Sequence, residues 1–422
     1  MWSRRAFLKG GGVALFSVGM AGAGPSFLRR AAWAATPGAS PGGRKVLVTI
    51  FQRGAMDGLA AVSPFAERRL AQLRPQLALS GARSAGDDRL IDLGVDFGLN
   101  PAMSALEPLW REKVLGVVHA VGSPDPTRSH FDAQDYMETG TPGRKGTKSG
   151  WLNRVCGALG HEAGPFRAVS LSEAMPRSFY GPSPALSVRS LEDLSIRLPG
   201  AAGAAEVAGE GFESLYREAA RDLVRGTAEE SFEAVEAVER LRESDYRPRA
   251  GVDYPRSPLG SSLRQIAMLI KADVGLEVAF TESGGWDTHV QQGAGSGTFA
   301  QRARDLSASI AAFWEDLGGA RDDVVVMTMT EFGRTVRQNG SGGTDHGHGS
   351  CLFLLGNSVD GGKVHGDFPG LSKSALYEER DLPVTTDFRA VFSEVAGRHL
   401  GIADDSALFP GWEGARLPLL KG

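Results

Sequence analysis

Apolar residues in this chain gather in short, largely unbroken runs. Residues 45–51, 115–119, 168–171, 273–280, 324–328 and 352–355 carry them, bounded by glycine or charge. Runs of this kind read as strands buried on both faces, the pattern of a parallel sheet. Between them the period changes. Leu306, Ile310, Phe313, Trp314 and Leu317 keep helical spacing and predict a helix over 305–317 that crosses back to the 324–328 strand as a βαβ unit. Further helices are predicted over 150–159 and 259–271, from Ser129 onward, and over 386–399 with Thr385 or Thr386 as its cap. Residues 187–211 read as loop. Leu215, Leu223, Phe232, Val235, Val238 and Leu241 mark an amphipathic helix or helix pair, an insertion at about 205–250 that caps the sheet.

The polar chemistry sits where these strands end. Open α/β sheets bind ligands in the crevice beyond the carboxyl ends of their strands. The first strand runs into Arg53-Gly54 and then Asp57-Gly58, where Asp57 is either a first metal-binding carboxylate or the cap of the next segment. Ser129 opens a helix and is read two ways, as its cap or as a nucleophile held where exposed N–H groups favour an anion. Arg128 and His130 beside it suit an anionic substrate. Asp287 and His289 follow the 273–280 strand and, in extended backbone, point the same way. Glu331 and Arg334 follow the 324–328 strand, and a glycine-rich loop then carries Asp345, His346 and His348. Such mixed imidazole and carboxylate donors predict a divalent metal site, zinc or manganese first, with calcium or magnesium as alternatives. His119, His161, His365 and His399 lack such neighbours and read as structural or exposed.

Composition acts mainly by exclusion. A formal net charge of −4 leaves no electrostatic footprint for nucleic acid. Cys156 and Cys351 match no zinc, haem or iron–sulfur spacing and read as buried thiols, with a disulfide as the alternative. Ser3-Arg4-Arg5-Ala6-Phe7-Leu8-Lys9, a weakly apolar glycine-rich segment and Ala32-Trp33-Ala34 predict a twin-arginine signal over 1–34 rather than a stable membrane span. A linker over 35–44 and one α/β domain over 45–422 would follow. The twin-arginine translocation machinery is thus an expected partner, and the expected location is periplasmic or secreted.

Five blocks together resemble one bacterial family of mostly exported proteins, the domain-of-unknown-function family 1501. They are Arg53-Gly54 with Asp57-Gly58-Leu59, Ser129-His130-Phe131 with Met137-Glu138, Gly285 to His289, Glu331 to Thr335, and Gly343 to Gly347. The family is similar in fold to the alkaline phosphatase and sulfatase superfamily. That resemblance implies a mainly parallel central sheet with helices on both faces, and divalent metals at the strand ends. It also implies a nucleophile attacking phosphate or sulfate esters. Carried onto this chain, Ser129 would be the nucleophile and Asp57, Asp287, His289, Glu331 and His346, with Asp345 and His348, the ligands. Arg53 or Arg334 would hold the non-bridging oxygens. Phe332 stands where the superfamily usually has a metal-binding histidine, so one site is rebuilt or lost. The expected function is an exported metal-dependent hydrolase of phosphate or sulfate esters. The alternative is a non-catalytic binding or assembly protein on the same fold.

Overall fold

The computed structural model describes residues 44–81, 89–94, 96–160, 164, 166–191 and 246–421. The predicted signal, nearly all of the linker and the predicted insertion helix lie outside them. The described chain is built on a mixed sheet of nine strands. In chain order they are β1 (Val46–Gln52), β2 (Leu115–Gly122), β3 (Ala168–Leu171), β4 (Leu186–Val188), β5 (Val278–Ser283), β6 (Val324–Met329), β7 (Ser350–Leu355), β8 (Val364–His365) and β9 (Thr386–Asp387). The spatial order is β8-β2-β7-β6-β1-β5-β3-β4, with β9 also paired to β2. Only β7 runs against its neighbours; every other pairing is parallel.

The central strands are apolar on both faces because both faces are covered. Val46, Val48 and Ile50 of β1 pack with helix α4 (Pro258–Lys271) and helix α5 (Thr298–Leu317). Leu47 and Phe51, pointing the opposite way, pack with α3 (Trp151–Ala158) and α6 (Phe388–Leu400). Two more helices complete the set used below: α1 (Gly58–Ala61), capped by Asp57, and α2 (His130–Thr139), capped by Ser129. The crossover from β5 through α5 to β6 forms as expected, passing over β1, which lies between those two strands.

Some boundaries differ from the sequence reading. The fifth strand starts at Val278 rather than at 273, because Asp273 and Gly275 both take positive φ and break the extension. It ends later, since Thr281 to Ser283 pair with Ile50 to Gln52. Helix α6 is capped by Asp387, not by a threonine: its carboxylate accepts from the Arg389 N–H, while Thr386 pairs with Val121 in the sheet. Residues 186–188, read in part as loop, form the edge strand β4.

The register matters for the site. Gln52 is level with Ser283, and Phe51 with Met329, so β1, β5 and β6 end on one line. Antiparallel β7 begins at that same line, Ser350 lying opposite Val121 near the end of β2. The loop preceding β7 is thereby delivered to the crevice where its parallel neighbours finish.

Candidate metal centre

Four loops supply the site. His130 starts α2 behind the Ser129 cap, whose hydroxyl accepts from the Asp132 N–H at 3.5 Å. Asp287 and His289 follow β5, Glu331 follows β6, and Asp345 to His348 precede β7. Two glycines let the loops close. A Cβ on Gly54, which has φ of 112°, would lie 2.6 Å from the Asp287 nitrogen. One on Gly343 would lie 2.3 Å from the His289 carbonyl oxygen.

His130, Asp287 and His346 each point a ligand atom to one place, all within 4.8 Å of one another, and could hold a metal ion. His346 Nε2 lies 3.0 Å from His130 Nε2 and 2.9 Å from His289 Nε2. Asp287 Oδ1 lies 3.5, 3.1 and 3.3 Å from the Nε2 atoms of His130, His289 and His346. Donors around a tetrahedral zinc at ~2.0 Å would be about 3.3 Å apart.

The far side of each ring fixes what the near side can be. His130 Nδ1 lies 2.8 Å from Glu331 Oε1, His289 Nδ1 3.0 Å from Asp345 Oδ1, and His346 Nδ1 2.8 Å from the Arg128 carbonyl. Ionised carboxylates and a carbonyl only accept, so each Nδ1 must carry the hydrogen. In the neutral rings each Nε2 is then a bare lone pair. Lone pairs about 3 Å apart repel unless a proton or a metal cation lies between them. Tying Nδ1–H to a carboxylate or carbonyl is also the usual outer support of a metal-binding histidine.

Electrostatics follow this wiring. The bond to Glu331 raises the His130 imidazolium above its ordinary value, whereas burial pulls His346 down. Burial pushes Glu331 and Asp287 upward, but hydrogen bonds outweigh it and hold both below the usual carboxylate range. For Glu331 these come from His130 and Gln134, and for Asp287 from Arg334. Phe332 packs against the rings of His130 and His346 as an apolar floor. Asp287 and His289 remain 45 % and 39 % exposed, so the cluster is open to solvent.

The structure brings together only some of the residues expected from the sequence and adds His130 to them. Asp57 is buried and does not join the cluster: it accepts from Arg74 Nη1 and Gln292 Nε2, both at 2.7 Å, and caps α1. Glu331 and Asp345 lie behind the cluster, against histidine Nδ1 atoms. His348 stacks on Tyr377 at 4.8 Å instead. Arg334 is buried and spends its donors on the Gly54, Ala55, Trp286 and Thr344 carbonyls and on Asp287, so it positions Asp287 rather than holding a ligand. Arg53 is occupied by Glu138, Glu282 and Gln134. Ser129 is exposed beside His130. From the sequence, His130 reads only as a neighbour of Ser129; the available signal is its place at the head of the helix that the chain enters from a buried strand.

An α/β sheet carrying an imidazole–carboxylate cluster of metal-binding type beyond its strand ends is the class that fold and site define. The chain belongs to the family described as Protein of unknown function (DUF1501), whose model matches residues 100–409. No curated protein matches it. Two solved structures give distant likenesses. One is the crystal structure of Ps i-CgsB in complex with k-i-k-neocarrahexaose, at 8 % identity and TM-score 0.35, covering 88 % of this chain and 75 % of that one. Another is the PH0037 protein from Pyrococcus horikoshii, at 11 % identity and TM-score 0.28, covering 75 % of this chain and 88 % of that one. Likenesses at this level carry no weight for the fold or the function. Among the described residues no helix is long and apolar enough to cross a membrane.

Proposed function

We propose that the cluster is a divalent metal centre and that the protein is an exported, metal-dependent hydrolase of phosphate or sulfate esters on an alkaline-phosphatase-like fold. The observation that carries the metal reading is the wiring of the histidines: His130, His289 and His346 each have Nδ1 committed to an acceptor and Nε2 turned toward Asp287 Oδ1. Three imidazoles with one carboxylate favour zinc, with manganese next. Openness supports turnover over a purely structural role, because structural metal sites are closed whereas catalytic ones keep a position for substrate.

A bound divalent ion would supply Lewis acidity toward a phosphoryl or sulfuryl oxygen. The chain's own residues do the rest. Glu331 and Asp345 fix the ring orientations of His130 and His289, and Arg334 fixes Asp287. Ser129, exposed at the N-terminus of α2, is the assigned nucleophile, held where the first-turn N–H groups favour negative charge. The Arg4-Arg5 signal carries the protein out of the cytoplasm through the twin-arginine route.

One observation favours the alternative, a non-catalytic binding or assembly protein: in both arginines expected to hold the ester oxygens, every guanidinium nitrogen already donates within the protein. The test is a screen of aryl phosphate and sulfate esters with the zinc- or manganese-loaded protein. Turnover abolished by chelation and by His346→Ala, and reduced at least a hundredfold by Ser129→Ala, is the expected result. Stoichiometric metal with no turnover of any ester would leave the binding reading standing.

A further inference from the structure

In Arg53 and Arg334 every guanidinium nitrogen donates within the protein, whereas Arg128 and Arg380, both in contact with His346, each keep a guanidinium nitrogen without such a bond among the described residues. They bracket His346, since the Arg128 carbonyl takes its Nδ1–H and Arg380 Nη2 donates to its main-chain oxygen at 3.0 Å. Both are mounted on one buried carboxylate, Asp381 Oδ2, at 2.7 Å from Arg128 Nη2 and 3.0 Å from Arg380 Nη1. Asp381 Oδ1 is buried with no hydrogen-bond partner among the described residues. Among the described residues, Arg128 Nη1 and Arg380 Nε make no hydrogen bond to protein.

The remaining partner of Arg128 is Glu378, whose carboxylate reaches Nη2 at 2.6 Å from a side chain that is 54 % exposed. The backbone that delivers it is unusual. Glu378 and Glu379 have φ of 51° and 54°, and the Arg380 N–H closes the turn onto the Tyr377 carbonyl. Two successive left-handed residues make a turn in which asparagine and glycine are the ordinary occupants, and glutamate is strained there. Glu379 is paired with Lys373. Among the described residues, the ion pair Glu378 makes is the one with Arg128. Strain held beside a site is a reason to look for function.

We propose that Arg128 and Arg380, mounted on Asp381, form an oxyanion subsite next to the His/Asp cluster, that it takes a sulfate or phosphate group of the ligand, and that Glu378 fills it until that group displaces it. Planar guanidinium groups with unused donors suit a tetrahedral oxyanion, which accepts several charge-assisted bonds at once. A carboxylate on a strained, exposed turn is a weak competitor for the Arg128 guanidinium. Binding here does not depend on whether any ester is cleaved.

The test is calorimetric titration with inorganic sulfate at constant ionic strength, on protein as purified and again after chelation. Glu378→Asn removes the competing charge and suits the left-handed backbone, so it leaves the fold intact. It is expected to bind sulfate about tenfold more tightly than the parent, the scale of one charge-assisted hydrogen bond. Glu379→Gly relaxes the turn but keeps Glu378, and should bind as the parent does. Adding Arg380→Gln to Glu378→Asn should remove the gain. The proposal is overturned if Glu378→Asn binds no more tightly than the parent, or if the gain survives loss of Arg380. It is also overturned if the gain appears only with metal present, which would put the anion on the His/Asp cluster.

Discussion

Glu331 shows how much of this site depends on residues that would not touch a metal. It is fully buried, and its Oε1 receives His130 Nδ1, Gln134 Nε2 and the Gly54 N–H, while Thr330 donates to Oε2. Removing its charge while keeping its shape should leave the fold intact and loosen His130. Loss of such outer partners lowers metal affinity by about 10–100-fold. Glu331→Gln is therefore expected to show that drop in a competitive chelator titration; an unchanged affinity would mean that His130 is not held for metal. At this scale the sequence was partly legible. A carboxylate directly after a buried strand could be recognised as site material, but not whether it would face an ion or an imidazole. His130 escaped because its partners Glu331 and His346 lie 201 and 216 residues away, and no local spacing links them.

Elements bring these residues together through close backbone approaches. The chain after β1 lies against the segment after β5 so tightly that a methyl group on Gly54 would meet the Asp287 nitrogen. Gly54→Ala adds left-handed strain to that clash. It should destabilise the protein by about 2–4 kcal/mol and displace Asp287, lowering metal content with Tm. Normal Tm with normal metal content would contradict the packing described here. Two buried histidines make a separate prediction for the elements around the sheet. His119 in β2 meets the Val62 carbonyl, and His399 in α6 meets the Val46 carbonyl, both at 3.0 Å. Burial lowers each to about 4. Between pH 6.5 and 4 the unfolded chain takes up protons that the native state refuses, so stability falls as pH falls through that window. Each could contribute on the order of 3 kcal/mol to that loss. His399→Gln should flatten the acid limb of a denaturation series; an identical slope would show that His399 does not titrate there. The buried strands and amphipathic helices were legible because burial on two faces, or on one stripe, writes itself into composition. The direction of β7 was not, since an apolar run reads the same either way. The two-residue strands β8 and β9 are too short to carry any pattern.

For the whole molecule, convergence is a property of topology. Parallel β1, β2, β5 and β6 finish at one edge of the sheet, and the single reversed strand β7 brings the His346 loop to that same edge. Order along the chain suggested one crevice. Only the pairing tells which members meet, and it leaves Asp57 on Arg74 and His348 on Tyr377. The proposed export is also tested at this scale. Replacing Arg4 and Arg5 together by lysine should leave the protein cytoplasmic and unprocessed in cell fractionation, and normal export of that variant would rule out the twin-arginine route. The central claim, that the cluster is a metal centre, is met most directly by X-ray absorption at the metal edge on protein purified without chelator. One tightly held ion per chain is predicted, surrounded by the imidazoles of His130, His289 and His346 with an oxygen of Asp287. The imidazole signal should weaken in His130→Ala. Absence of a stoichiometric ion, or a shell of oxygens alone that His130→Ala does not alter, would contradict it.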